Sequence, residues 1–475
     1  MNIFKKKSLC AALAGIGALG AAGAAQAVNL NPDGLGQVLI YPYYTVRSNA
    51  AGNAFNSLLS VVNTTASAKA VKVRFLEGKN SREVLDFNLY LSKKDVWTAA
   101  IVPTSAGASV VSNDASCVLP NQLPAGGQPF VTFAIDDNGG TGADRLQEGY
   151  VEIIEMASYS DSSTTKGNVT HVNGVPPGCA KQTDALGLAE ALAPSGGLMG
   201  GMTLINVNSG SDYTEDAVAL DNFSDTQLYT AAGFTTPDLT QSSPPTSVVV
   251  ANGNIYQSFW APGPDAVSAV LMHDQVMNEF VLDAATHSGT DWVVTMPTKR
   301  FYIANGTGNN AGILFQRNFD KTNGSCDDVS LAIFDREERT TSTPLSFSPP
   351  PPTPSNSLCW EANVVTFNNS NVLGSLNVAN VPTSFANGWL DLGFFDASIA
   401  PVHTLSSPFT TVTNIGTGNS VDTSATYLGL PVVGFAVQSF TNGTLTVNGA
   451  SVLSNYGGNF IHKGTRSITL AAPAP

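Results

Sequence analysis

The alternation within residues 71–91 constrains the fold more than any other feature of this chain. Val71, Val73 and Phe75 alternate with Lys72 and Arg74, and Leu85, Phe87, Leu89 and Leu91 alternate with Asp86, Asn88 and Tyr90. A repeat of two sends one set to each face of a β-strand. Gly78, Lys79, Asn80 and Ser81 between the two runs accept turn dihedrals. An antiparallel hairpin is predicted, with one dry face and one wet face. A lone hairpin is marginal in water, so the dry face needs a second sheet. Val38, Ile40, Leu59, Val61 and Trp97 are the nearby candidates to supply it. Trp97 reads as core filler, because a large aromatic side chain gains most from burial. The stretch 36–102, read as strands paired in sequence order, therefore predicts a β-sandwich.

The rest of the chain extends this pattern. The expected class is mainly β, with two or three β-sandwich-like units and a few short helices. An N-terminal β-sandwich is expected over 28–160, and a mixed β unit with a helix at 266–282 over 161–305. A C-terminal β unit follows over 306–475, with a Pro-rich excursion at 344–357 that reads as a polyproline II spacer. The helix rests on Val267, Val270, Leu271, Met277, Phe280 and Val281 at helical spacing, with Asp265 as its N-cap. Asn442-Gly443 and Asn448-Gly449 are hairpin-type turns.

The first 27 residues predict the compartment. Lys5, Lys6 and Lys7 precede an Ala/Gly/Leu-rich run that ends at Ala25-Gln26-Ala27, the pattern of a cleaved secretory signal peptide. No later apolar run approaches the ~20 residues of a membrane-spanning helix. An exported protein is expected, extracellular or held at the cell surface, with the periplasm as the other compartment open to it. Without those three lysines, 19 of the 22 basic residues face 36 acidic ones, a net charge of −17. Nucleic acid and anionic lipid both need a cationic patch, so neither is expected as a partner. Four cysteines follow the leader: Cys117, Cys179, Cys326 and Cys359. An even count in an exported chain predicts disulfides, of which three pairings are open. Cys117–Cys179 and Cys326–Cys359 are favoured, because neighbours in sequence usually share a unit.

The chain carries no G-x-S-x-G elbow, H-E-x-x-H or Walker loop. His171, His273, His287, His403 and His462 are scattered, with no two at metal-ligand spacing. Glu152/Glu155, Asp335/Glu337/Glu338 and Asp391/Asp396 could act as acid and base in a glycosidase if they faced one cleft, but solvated acids are the simpler reading. Calcium is the one cofactor with some support. Asp136, Asp137, Asn138 and Asp144 crowd oxygen ligands onto a Gly-rich loop, although the spacing is not that of an EF-hand and a plain Asx-rich turn is the simpler reading.

Several strings are similar to those of an uncharacterised family of secreted proteobacterial proteins. They are the segments 36–44 (GQVLIYPYY), 71–78 (VKVRFLEG), 148–156 (EGYVEIIEM), 290–302, and Asn455-Tyr456-Gly457-Gly458. The resemblance implies a bacterial exported protein and transfers no activity or site. The function expected is a non-catalytic exported protein of the cell envelope or surface, structural or adhesive, with itself, other envelope components or glycans as partners. One alternative is a carbohydrate- or calcium-binding module, which predicts an exposed aromatic row such as Tyr41, Tyr43 and Tyr44. The second alternative is a secreted hydrolase using paired carboxylates.

Overall fold

The computed structural model describes residues 26–49, 51–135, 137, 139–303, 314–340, 356–395 and 403–471. Nearly all of the leader and of the Pro-rich excursion 344–357 lie outside the described residues. The principal N-terminal strands are β1 (Val38–Thr45), β2 (Asn56–Asn63), β3 (Ala68–Glu77), β4 (Glu83–Leu91), β5 (Val96–Thr104), β6 (Glu148–Tyr159), β7 (Leu198–Asn206) and β8 (Ser211–Asp216). They build two sheets. One runs Asn29–Leu30, Val218–Asp221, β1, β6, β3, β4, Val118–Leu119, and the other β8, β7, β2, β5, Gly107–Val111, Gln128–Pro129.

The expected hairpin is present. β3 and β4 pair with Val71 opposite Leu89 and Val73 opposite Phe87. These side chains share a core with Leu59, Val61 and Trp97 of the second sheet. Two expectations need correction. The strands do not pair in sequence order, since β1 lies between Val218–Asp221 and β6. Val38 and Ile40 are buried on the opposite face of their sheet, in a separate core.

The face expected to be wet is dry. β1, β3 and β6 are buried at every residue. The seven-stranded sheet is a middle layer, and later parts of the chain cover its second face. Lys72 and Arg74 on that face are therefore interior, as is Lys69 on the opposite face in line with Val71, and each meets a carboxylate. Lys69 Nζ lies 2.6 Å from Glu155, and Lys72 Nζ 3.0 Å from Asp86. Arg74 Nε lies 2.8 Å from Glu83, and its Nη1 donates to Glu152. The register causes this, because Arg74 stands directly opposite Glu152 on one side and Asp86 on the other. Lys72 also donates to the Phe234 carbonyl of the covering segment. Buried charges persist only when paired in this way.

The later strands are β9 (Gln275–Val281), β10 (Ser288–Thr295), β11 (Asp327–Asp335), β12 (Ala362–Phe367), β13 (Asn387–Gly393), β14 (Val433–Phe440) and β15 (Tyr456–Ile461). They enter two five-stranded sheets, Asn356–Leu358, β11, β13, β9, Lys463–Thr465 and Val378–Val381, β12, β10, β14, β15. A third five-stranded sheet joins Thr246–Ala251 and Asn254–Phe259 to Thr404–Asn414, Ser420–Leu428 and Ser467–Leu470. Each of the three draws strands from both sides of residue 305, and 198–221 joins the N-terminal sheets.

The helix expected at 266–282 is corrected. Helix α1 spans Asp265–Leu271 only, with Pro264 as its N-cap, and the chain then enters β9. Val276 and Phe280 are both buried. A separation of four residues fits one helical turn and also two strand repeats, so the spacing could not discriminate. Pairing of β9 with β13 decided for strand. No helix among the described residues is long and apolar enough to cross a membrane.

The disulfides are Cys117–Cys179 and Cys326–Cys359, as favoured from the sequence. They close loops of 62 and 33 residues, and in the chain-entropy model each contributes about 4 kcal/mol. Replacing either pair with serine is expected to lower the unfolding free energy in oxidising buffer by about that amount, seen as a lower denaturant midpoint. Adding reductant should then have a smaller effect on the variant than on the parent protein.

Candidate functional site

The residues singled out in the sequence are mostly engaged in structural work. Arg145 Nη1 and Nη2 donate to Asp137 at 3.0 and 2.7 Å, and the same guanidinium grips Glu77. Burial raises the pKa of Asp137, but the Arg145 hydrogen bonds and charge, the Gly139 N–H and Asn80 together outweigh it and hold the carboxyl below the usual aspartate range. Asp144 pairs with Lys79 at 3.2 Å. The positive charge that calcium would bring to these two acids already comes from side chains. Asp136 and Asn138 lie outside the described residues. Among the described residues, no three His, Cys, Asp or Glu groups gather at metal-binding distance.

Glu152 and Glu155 are the buried partners of Arg74 and Lys69. Asp335 accepts from the Glu337 and Arg339 backbone in a turn, and Asp396 lies outside the described residues. His273, His403 and His462 bond backbone carbonyls, and burial pushes His273 down to about 3 and His462 to about 4. The aromatic row Tyr41, Tyr43 and Tyr44 is buried, not exposed. Tyr41 donates to the Ser60 carbonyl and Tyr43 to Glu148.

A pocket that the sequence did not announce lies where the N-terminal sandwich meets the sheet of β10, β14 and β15. Its volume is about 320 Å³, within the range of small-ligand sites. Five asparagines (49, 53, 208, 371, 455) and five serines (209, 211, 288, 370, 439) line it, with Thr441, His287, Tyr213, Phe440 and Tyr456. Among its described lining residues none is Asp, Glu, Lys or Arg.

Local geometry fixes these groups. Ser209 Oγ accepts from Asn49 Nδ2 at 2.8 Å and Asn53 Nδ2 at 3.0 Å, while its carbonyl accepts from Asn455 Nδ2 at 2.7 Å. One serine thus ties three lining amides from opposite ends of the chain. Asn455 Oδ1 also accepts from the Asn442 and Gly443 backbone, closing the base of the exposed hairpin formed by Thr444–Val447 and Ala450–Leu453. Ser370 donates to the Thr290 carbonyl at 2.7 Å. Asn371 and His287 both take left-handed backbone conformations, φ 46° and 44°. Asparagine tolerates this well and a histidine does so uncommonly. Three groups remain uncommitted: the Asn208 amide, the His287 imidazole and the Tyr456 hydroxyl have no hydrogen-bond partner among the described residues. All three are exposed.

A larger concavity, about 980 Å³, lies on the outer face of the six-stranded sheet. Leu58, Val62, Met199, Ala99 and Gly200 give it a smooth floor with no aromatic ring. Hydroxyls and the carboxylates of Asp33, Asp114 and Asp216 also line it, whereas the smaller pocket joins amides to aromatic rings with no carboxylate among its described lining residues. Comparison with protein-family models, curated proteins and solved structures finds no match.

Proposed function

We propose that the chain is an exported, non-catalytic protein of the bacterial cell envelope or surface that acts by adhesion, holding a neutral sugar in the seam pocket. The observation that carries this reading is the lining: amides, hydroxyls, aromatic rings and one imidazole, with no carboxylate, lysine or arginine among the described residues, in a protein of net charge −14. Sugar hydroxyls both donate and accept hydrogen bonds, which amides and hydroxyls match in both senses. The apolar face of a sugar ring suits an aromatic side chain. A charged ligand would find no carboxylate, lysine or arginine there. The two disulfides and the leader pattern support export.

A glycan array probed with the labelled protein tests this. Binding to one or more neutral glycans is expected, and Tyr456→Ala and Asn208→Ala should each weaken it at least tenfold. Absence of any neutral glycan among the hits, or hits indifferent to both substitutions, contradicts the reading.

A second reading, self-assembly, has one observation in its favour. The hairpin that Asn455 roots exposes Leu445, Val447, Val452 and Leu453, and a two-stranded hairpin is marginal in water alone. Sedimentation of the parent protein beside Leu445→Ser/Val452→Ser decides it. A monomer in both cases removes the idea.

A further inference from the structure

We infer that the ligand is an extended chain of neutral sugars that leaves the seam pocket and runs along β15 to a platform at Trp389; this rests on the sugar reading of the seam pocket. The first observation is continuity. Tyr456, at the start of β15, lines the seam pocket. Phe460 and Ile461, at its other end, line a separate open groove of about 680 Å³ with Met277, Glu279 and Trp389. Tyr456 and Phe460 are four residues apart and so project from the same face of the strand, roughly 14 Å apart at ~3.4 Å per residue. That span is too long for one sugar ring and suits several in line.

The second observation is the floor between them. Gly457 and Gly458 present no side chains. A Cβ built on Gly458 would sit 2.9 Å from the Phe460 ring, so the ring folds back over this glycine. Because position 458 is bare, Phe460 lies along the strand and extends the aromatic surface towards Tyr456. β15 is also the edge of its sheet, after β14; its flank is tied to β8, where Asn459 donates to the Thr214 carbonyl, so the open surface is the face that carries Tyr456 and Phe460.

The third observation is the platform. Trp389 is 38% exposed, Phe460 43% and Tyr456 61%, which is generous for rings of this size in a folded chain. Trp389 is held in place by stacking on Phe334, with ring centres 4.6 Å apart and planes 18° apart. Across the strands, Phe334 and Glu279 both stand opposite Trp389. Glu279 is exposed and lines the groove with Lys463, one an acceptor and the other a donor for sugar hydroxyls.

Isothermal titration with glucose, galactose and mannose, and with cello- and malto-oligomers of two to six units, tests the inference. Affinity is expected to rise at least tenfold from the monosaccharide to the hexamer of the same series. Trp389→Ala and Phe460→Ser should each remove that gain, bringing the hexamer towards the affinity of its monosaccharide. Gly458→Val should do the same by displacing the Phe460 ring, and circular dichroism reports whether each variant is folded. Monosaccharide binding that Tyr456→Ala abolishes, with no gain along either series, overturns the extended site and leaves the seam pocket standing. A gain that survives all three groove variants also overturns it. Absence of binding by every sugar in the panel overturns both.

Discussion

Replacing Arg74 with methionine is expected to destabilise the protein by about 3–5 kcal/mol, measured as a lower denaturant midpoint. The arginine is fully buried between Glu83 and Glu152. Methionine would fill much of the same space, so the loss comes from two interior carboxylates deprived of their cation, not from a void. Two further proteins separate these causes. Arg74→Met combined with Glu152→Gln and Glu83→Gln should recover a substantial part of the loss, since no unpaired charge then remains. Arg336→Met, which removes an ion pair to Glu337 on the surface, should change nothing measurable. If the triple replacement is no better than the single one, packing and not charge pairing governs this layer.

Glu361→Gln should raise stability in alkaline buffer and leave it unchanged in acid. Glu361 is fully buried, and among the described residues neither carboxylate oxygen has a hydrogen-bond partner of good geometry; the nearby Ser81 hydroxyl, which accepts from Tyr150, adds only a smaller downward pull. Burial pushes its carboxyl up to about 8, against a smaller opposing pull from Lys299, which is itself paired with Asp327 at 2.7 Å. The native state therefore keeps a proton that the unfolded chain gives up near pH 4.5. Stability attached to this group is complete below that value and declines as pH rises, until the native group itself ionises near 8. A carboxyl moved that far corresponds to on the order of 4 kcal/mol. Glutamine mimics the protonated form at every pH, so the two proteins should agree at pH 4 and diverge by several kcal/mol at pH 9. Glu83 and Glu215, both pushed up to about 7 by burial first of all, should keep a shallower decline in each. Parallel curves for parent and variant would show that Glu361 is not held neutral.

The alternation at 71–91, the core role of Trp97 and the disulfide pairing were legible in the sequence because each depends on neighbours in the chain. The sense of the second face was not. Lys72 and Arg74 alternate with apolar residues identically whether water or another layer covers them, and only the segment carrying Phe234 settles which. The 266–282 helix failed for a related reason, since Met277 and Val281, four residues apart, satisfy both periods. Tyr41, Tyr43 and Tyr44 lie in a fully buried strand, and a run of three tyrosines cannot reveal that. The seam pocket was out of reach because Asn49, Ser209, Asn371 and Asn455 are each ordinary turn residues. The one local hint was Asn455-Tyr456-Gly457-Gly458, where an aromatic residue precedes two positions without side chains.

Amide hydrogen exchange, recorded with and without the neutral glycan that binds most tightly on the array, addresses the sugar-binding proposal directly. Slower exchange is predicted at 208–211, 287–289, 370–372 and 455–456, the walls of the seam pocket. Protection confined to 58–62 and 199–203, on the outer face of the six-stranded sheet, would contradict it, as would no protection anywhere.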